Sequence, residues 1–197
     1  MANEIKAKQN GSVALFGNDL QKGFENMTQD DMALPFIRIL GQLSPQVTDG
    51  DSKFIDGAKP GMIYNTVTND LFDGKKGIKV IPCYYKKDYP EWSDRGDGPG
   101  APVATHSPGS PVIQTGKRDG SKIRLPNGNY LEETAYYYVM VENKQGGYSP
   151  ALITMKSTQL SVSKKWNSMM KSVQIDDGKG GFAVPPMHGV VYTLQSN

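Results

Sequence analysis

The residues best suited to chemistry fall in Val80 to Trp92, "VIPCYYKKDYPEW", where three tyrosines, a tryptophan, two lysines and the single cysteine of the chain share thirteen positions. Two chemistries fit such a set: nucleophilic attack by a thiol, or stacking on and neutralising something flat and anionic. A thiol nucleophile needs a base, and the chain offers only His106 and His188. Cys83 sits in an apolar strand pattern, where a thiol is usually a buried packing group rather than a reactive one.

No other catalytic constellation emerges. The run Gly178-Lys179-Gly180-Gly181 lacks the spacing with which backbone amides wrap a phosphate ahead of a helix, and reads as a turn. The acid pairs Asp30/Asp31, Asp49/Asp51, Glu132/Glu133 and Asp176/Asp177 form neither a calcium loop nor a two-metal carboxylate set. One cysteine and two histidines cannot build a structural zinc site or a disulfide framework. The expectation is a protein that is not an enzyme and carries no metal and no cofactor.

Stacking and neutralisation are the chemistry of single-stranded nucleic-acid binding, in which cations follow the phosphates and aromatic rings carry the bases. In the opening stretch, strand alternation sends Val80, Pro82 and Tyr84 to one face and Lys79, Ile81, Cys83 and Tyr85 to the other. Lys86, Lys87, Tyr89 and Trp92 then extend past the strand end as a basic, aromatic rim. Candidate stacking residues are therefore Tyr85, Tyr89 and Trp92, and candidate phosphate ligands Lys79, Lys86 and Lys87. A second run, "AYYYVMVE", sets Tyr136, Tyr138 and Met140 against Tyr137, Val139 and Val141. At least one tyrosine there leaves the hydrophobic side unless both faces are covered, and Tyr137 is taken as a further platform.

The elements that position these groups are mostly strands. The chain has 197 residues with 22 Gly and 13 Pro, and a mean hydropathy of −0.51, so turns and short strands are favoured over a helical bundle. The first 27 residues are polar and aperiodic and read as a flexible arm, with at most a short helix around Ser12 to Leu20. Residues 28–197 then form one domain. "ALPFIRILG" reads as a buried strand, and "TAYYYVMVE" and "YSPALITM" flanking "NKQGG" give the clearest hairpin. Residues 93–128 form a Gly/Pro-rich excursion with a small hairpin and the cations Lys117, Arg118, Lys122 and Arg124, all candidate phosphate ligands. "STQLSVSKKWNSMMKSV" is the one amphipathic helix, docking through Val162, Trp166, Met169 and Val173 with Leu160 and Met170 beside them. Its Lys164 and Lys165 complete the candidate set.

Charge is divided unevenly. Residues 1–74 carry a net −4 and residues 75–197 a net +6, and Asn143 to Ile175 holds five lysines and no acid, as suits an anionic partner. No signal peptide or apolar membrane span is visible, so no membrane association is expected. The expected fold is mainly β with one amphipathic helix, an OB-like barrel with long loops, with a β-sandwich as the alternative.

The blocks "ALPFIRILGQLSPQV", "GAKPGMIYNTVTNDLFDGKKGIKVIPCYYKKDYPEW", "PALITMKSTQLSVSKKWNSMM" and "VPPMHGVVYTL" resemble a family of small tailed-bacteriophage proteins labelled as single-stranded-DNA-binding. The resemblance implies a replication or recombination accessory protein that coats exposed strands in the cytoplasm of an infected bacterium. Its partners would be single-stranded DNA and phage replication or recombination proteins, and homo-oligomers are compatible with it. Single-strand binders commonly end in an acidic tail, whereas no acid follows Asp177 here, so a removed tail is expected. The alternative function is a phage structural or assembly protein whose tyrosines form subunit contacts.

Overall fold

Fifteen consecutive strand residues, Ile78–Trp92, make the spine of the molecule, with burial alternating from Ile78 to Pro82. The protein is represented by a computed structural model that describes residues 23–94 and 101–196. In chain order the strands are β1 (Phe36–Ile39), β2 (Ile63–Asn65), β3 (Leu71–Phe72), β4 (Ile78–Trp92), β5 (Ala104–His106), β6 (Lys117–Asp119), β7 (Lys122–Arg124) and β8 (Tyr130–Glu132). They are followed by β9 (Thr134–Glu142), β10 (Tyr148–Lys156), β11 (Ile175–Asp176), β12 (Phe182–Ala183) and β13 (Tyr192–Leu194). Two α-helices accompany them, the single turn α1 (Val112–Thr115) and α2 (Gln159–Ser172).

Eleven strands form one mixed sheet in the order β3-β2-β1-β10-β9-β4-β8-β7-β6, with β13 and β5 also paired to β4. All its pairings are antiparallel except β1 with β10. The β9–β10 hairpin runs in continuous register from Glu142↔Tyr148 to Thr134↔Lys156. Its bend is closed by Asn143, whose side-chain oxygen accepts from the amides of Gln145 and Gly147. Gly146 between them has φ 82°, a conformation that glycine adopts without steric penalty.

One face of the sheet is buried. Ile37, Ile63, Ile78, Val80, Ala135, Tyr137, Val139, Val141, Ala151 and Ile153 form it, and Trp166 and Met170 of α2 close over it. The helix docks on a different stripe from the one its apolar periodicity predicts. Ser163, Trp166 and Met170 are buried while Val162 and Met169 are exposed, because the Tyr137 hydroxyl reaches up to Ser163 and Asn167. A buried phenol needs such partners, and supplying them turns the helix by a fraction of a turn.

The mainly-β class is as the composition implies, but no strand pairing closes a barrel among the described residues. The two ends of the β3-to-β13 path are tied instead just beyond the strands. The Ser196 amide donates to the Gly74 carbonyl at 2.9 Å, and the Ser196 hydroxyl donates to the Gly61 carbonyl.

Ile123 and Leu125 of the excursion join Leu131 of β8 in a second small core, with Tyr89, Val112 and Ile113 against it. The expected hairpin is β6–β7. Above it, the Glu91 carboxylate, only 10 % exposed, gathers His106 Nε2 at 2.7 Å, Asn129 Nδ2 at 2.6 Å and Asn127 Nδ2 at 3.1 Å. These donors hold the Glu91 pKa below the usual carboxylate value, that of Asn129 most strongly, with His106 next. Of the expected N-terminal arm, residues 1–22 with the short helix at Ser12 to Leu20 lie outside the described residues, and 23–27 are exposed.

Candidate nucleic-acid interface

The face of the sheet opposite α2 follows from the pairings, since partners across a ladder share a face. Tyr84 pairs with Tyr138, Tyr138 with Leu152, and Leu152 with Phe36, so four strands contribute one row of side chains, in which Leu152 is buried between its larger neighbours. At the usual 4.7–4.9 Å between strands this row is about 14 Å long. Two residues further along, Lys86 pairs with Tyr136 and Tyr136 with Thr154, while Arg38 on β1 pairs with Tyr64 on β2. Tyr84 and Tyr138 are 58 % and 38 % exposed and their ring centroids lie 5.8 Å apart.

The same face continues along β4 to Trp92, about 26 Å from Tyr84 at 3.3 Å per residue. Trp92 pairs with Tyr130, Tyr130 with Arg124, Arg124 with Lys117 and Glu132 with Lys122. On this face the cations lie over the rings. Arg38 is 5.2 Å from the Phe36 centroid, Lys86 5.3 Å from Tyr136, Lys122 3.6 Å and Arg124 5.4 Å from Tyr130, and Lys156 5.9 Å from Trp92. These are cation–π distances, and they hold charge and aromatic surface side by side.

Carboxylates temper part of this charge. Lys86 pairs with Asp88 at 2.8 Å, Lys79 with Glu142 at 3.2 Å, Lys156 with Glu132 at 2.7 Å, and Arg124 with Asp94 at 2.6 Å. The hydrogen bond that the Lys86 ammonium donates to the Asp88 carboxylate raises the Lys86 pKa.

Of the residues singled out by sequence, Lys79, Lys86, Trp92, Lys117, Lys122 and Arg124 share the face opposite α2, but Lys79 and Trp92 stand at opposite ends of β4 and the Trp92 indole nitrogen is buried. Tyr85, Lys87, Tyr89 and Tyr137 point the other way. Tyr85 packs on Tyr137 at 5.1 Å, Tyr89 on the second core, and Lys87 pairs with Glu133 at 3.1 Å. Tyr137 has no exposed surface, which corrects its reading as a base platform. Lys164 and Lys165 are exposed on α2, which packs on the far side of the sheet, and Arg118 shares the inner face with Ile123.

The alternation was inverted by a β-bulge. The β4–β9 register shifts between Pro82 and Tyr84, so Cys83 takes up the extra position and is exposed rather than buried. Beyond it Tyr84 faces out and Tyr85 in. Pro82 was the available signal, because a proline inside a paired strand marks an edge or a bulge. Tyr84 was missed in consequence, and Phe36 and Arg38 on β1 and Tyr136 and Tyr138 on β9 were missed as well. For the tyrosines of β9 the signal was Val139 and Val141, the β-branched residues that share the face of Tyr137.

The model of the family described as Pam3 phage gp34-like protein matches residues 7–197. The chain belongs to that family. Its phage origin agrees with the resemblance drawn from sequence, while the family description names no ligand. No curated protein and no solved structure matches the chain. No helix among the described residues is long and apolar enough to cross a membrane, and no cluster of three or more His, Cys, Asp or Glu among them could hold a metal ion.

Proposed function

We propose that this phage protein is a non-catalytic single-stranded-DNA-binding protein. It coats strands exposed during replication and recombination in the cytoplasm of the infected host, where phage replication or recombination proteins are its partners. The observation that carries this reading is the uncovered sheet face, on which Tyr84, Tyr138, Tyr136 and Phe36 alternate with Lys86 and Arg38. Rings on a rigid sheet stack bases of any sequence, and the neighbouring cations meet the phosphates.

Fluorescence anisotropy of a labelled oligothymidine tests it. Binding is expected at about 50 mM salt and is weakened steeply by about 300 mM. Tyr138→Ala is expected to cost about 1–3 kcal/mol of binding, and removing the exposed ring leaves the core intact. No binding at low salt, or binding indifferent to salt and to Tyr138, refutes the reading.

A second reading, a structural or assembly protein, draws on large apolar groups left in solvent, with Leu43 96 % and Phe182 75 % exposed. Light scattering decides between the two: large oligomers formed without DNA favour assembly, and a small particle that assembles only on oligonucleotide favours strand coating.

A further inference from the structure

Beside the aromatic row, between β1, β2 and the loop from Ser44 to Lys53, lies a groove of about 500 Å³. Phe36 and Arg38 line its sheet side, Tyr64 and Thr66 belong to the same wall, and Gln46 and Lys53 come from the loop. Phe36 is thus both the last residue of the Tyr84–Tyr138–Leu152 row and a wall of the groove.

The polar groups of this groove divide into two kinds. Some already have partners: the Tyr64 hydroxyl donates to Asn69 Oδ1 at 2.7 Å, Thr66 Oγ1 accepts from the Phe36 amide at 2.9 Å, and Ser44 Oγ accepts from the Gly41 amide at 2.8 Å. Arg38 and Lys53 have no carboxylate partner among the described residues, and no Asp or Glu lines the groove. Elsewhere on the face Lys79, Lys86, Lys156 and Arg124 are each matched to an acid. Among the described residues Lys117 and Lys122 also lack a carboxylate partner, but they lie at the far end of β4 beside Trp92, so Arg38 and Lys53 are the unpaired cations next to the aromatic row. The guanidinium of Arg38, lying 5.2 Å from the Phe36 ring centroid, is additionally held near that ring, so its N–H groups are presented at low conformational cost.

We propose that this groove is a nucleotide subsite that anchors the strand: Arg38 and Lys53 bind a phosphate while its base stacks on Phe36, across the buried Leu152 from Tyr84 and Tyr138. The subsite rests on the reading of the open face as a single-strand-binding surface, and it sets where on that face the phosphate contacts are concentrated. A nucleotide there would need no rearrangement of the ion pairs made by Lys79, Lys86, Lys156 and Arg124.

The test is the salt dependence of oligothymidine binding by the full chain. Each phosphate contact on single-stranded nucleic acid contributes about 0.7 to the slope of log K against log salt. Arg38→Gln and Lys53→Gln are each expected to lower that slope by about 0.7 and the double variant by about 1.4, whereas Tyr138→Ala lowers affinity with the slope unchanged. Lys53→Gln lies on an exposed loop and leaves the fold intact, so it serves if Arg38→Gln unfolds, and Arg38→Lys is expected to restore the slope. An unchanged slope in both glutamine variants, with Tyr138→Ala still weakening binding, overturns the subsite and leaves the surface standing. Unchanged binding in all of these variants overturns the surface itself.

Discussion

Tyr137 and Tyr138 are neighbours in the chain and opposites in the sheet: Tyr137 has no exposed surface, while Tyr138 is 38 % exposed. The Tyr137 hydroxyl lies 2.7 Å from Ser163 Oγ, 3.1 Å from the Ser163 carbonyl and 2.9 Å from Asn167 Oδ1, and its ring packs 4.5 Å from that of Trp166. This one side chain couples the central hairpin to the helix that covers it.

Tyr137→Phe is accordingly expected to cost about 1–3 kcal/mol of stability, because it removes the partner of the buried Ser163 hydroxyl and of the part-buried Asn167 Oδ1. Tyr138→Phe, on the open face, is expected to stay within about 0.5 kcal/mol of the parent. Urea denaturation of the two variants measures the difference, and equal losses would reverse the assignment of faces.

The contrast also shows how far the sequence is legible. The hairpin around "NKQGG" and the turn in "DDGKGGF" can be read from local chemistry, since glycine and asparagine or aspartate at a bend act through their own backbone. Burial by alternation works only while register is kept. One extra residue at Cys83 reverses the faces of everything after it in β4, and the reversal depends on pairing with Val139 and Tyr138 of β9, far away in sequence. The docking stripe of α2 was hidden for a similar reason: Ser163 is buried to partner Tyr137, and an apolar periodicity has no term for a polar residue needed by another element. Positive charge was visible as a total, yet its placement was not, because the acids that offset Lys79 and Lys156 come from other strands, Glu142 of β9 and Glu132 of β8.

Glu91 makes the excursion sensitive to acid. Its folded pKa lies below the ordinary value of 4.5, so its contribution is complete above the unfolded pKa and disappears as pH falls through the folded one. Thermal melts followed from neutral pH down to about pH 3 should show a declining midpoint in the acid limb. In Glu91→Gln the part of that decline due to this group should vanish, with lower stability at neutral pH because the amide turns an N–H toward one of the donors. An acid limb of identical steepness in the variant would remove Glu91 as its source.

Gly74 lies where the chain beyond β3 meets the chain beyond β13. A Cβ there would come within 1.9 Å of both the Gly61 carbonyl oxygen and Ser196 Oγ, and the first of these is backbone that cannot rotate away. Gly74→Ala is expected to cost about 1–3 kcal/mol through overpacking and to raise hydrogen exchange at the Ser196 amide, which donates to Gly74. Exchange at Ser196 as slow as in the parent would mean that this tie is not what the glycine protects.

Cys83 turns the bulge into a reporter. Its thiol is exposed, its Sγ lies 3.5 Å from the Ile81 carbonyl, and the next residue is Tyr84, whose ring heads the aromatic row. An exposed thiol reacts without unfolding, since access and thiolate fraction set the rate. A maleimide is therefore expected to label the native protein once, without denaturant, whereas a buried thiol would wait for global unfolding. Oligothymidine laid along Tyr84 and Tyr138 should slow that labelling at low salt, and the protection should fade as salt displaces the strand. Labelling that requires denaturant would contradict the bulge, and labelling indifferent to saturating oligonucleotide would place the strand away from Tyr84.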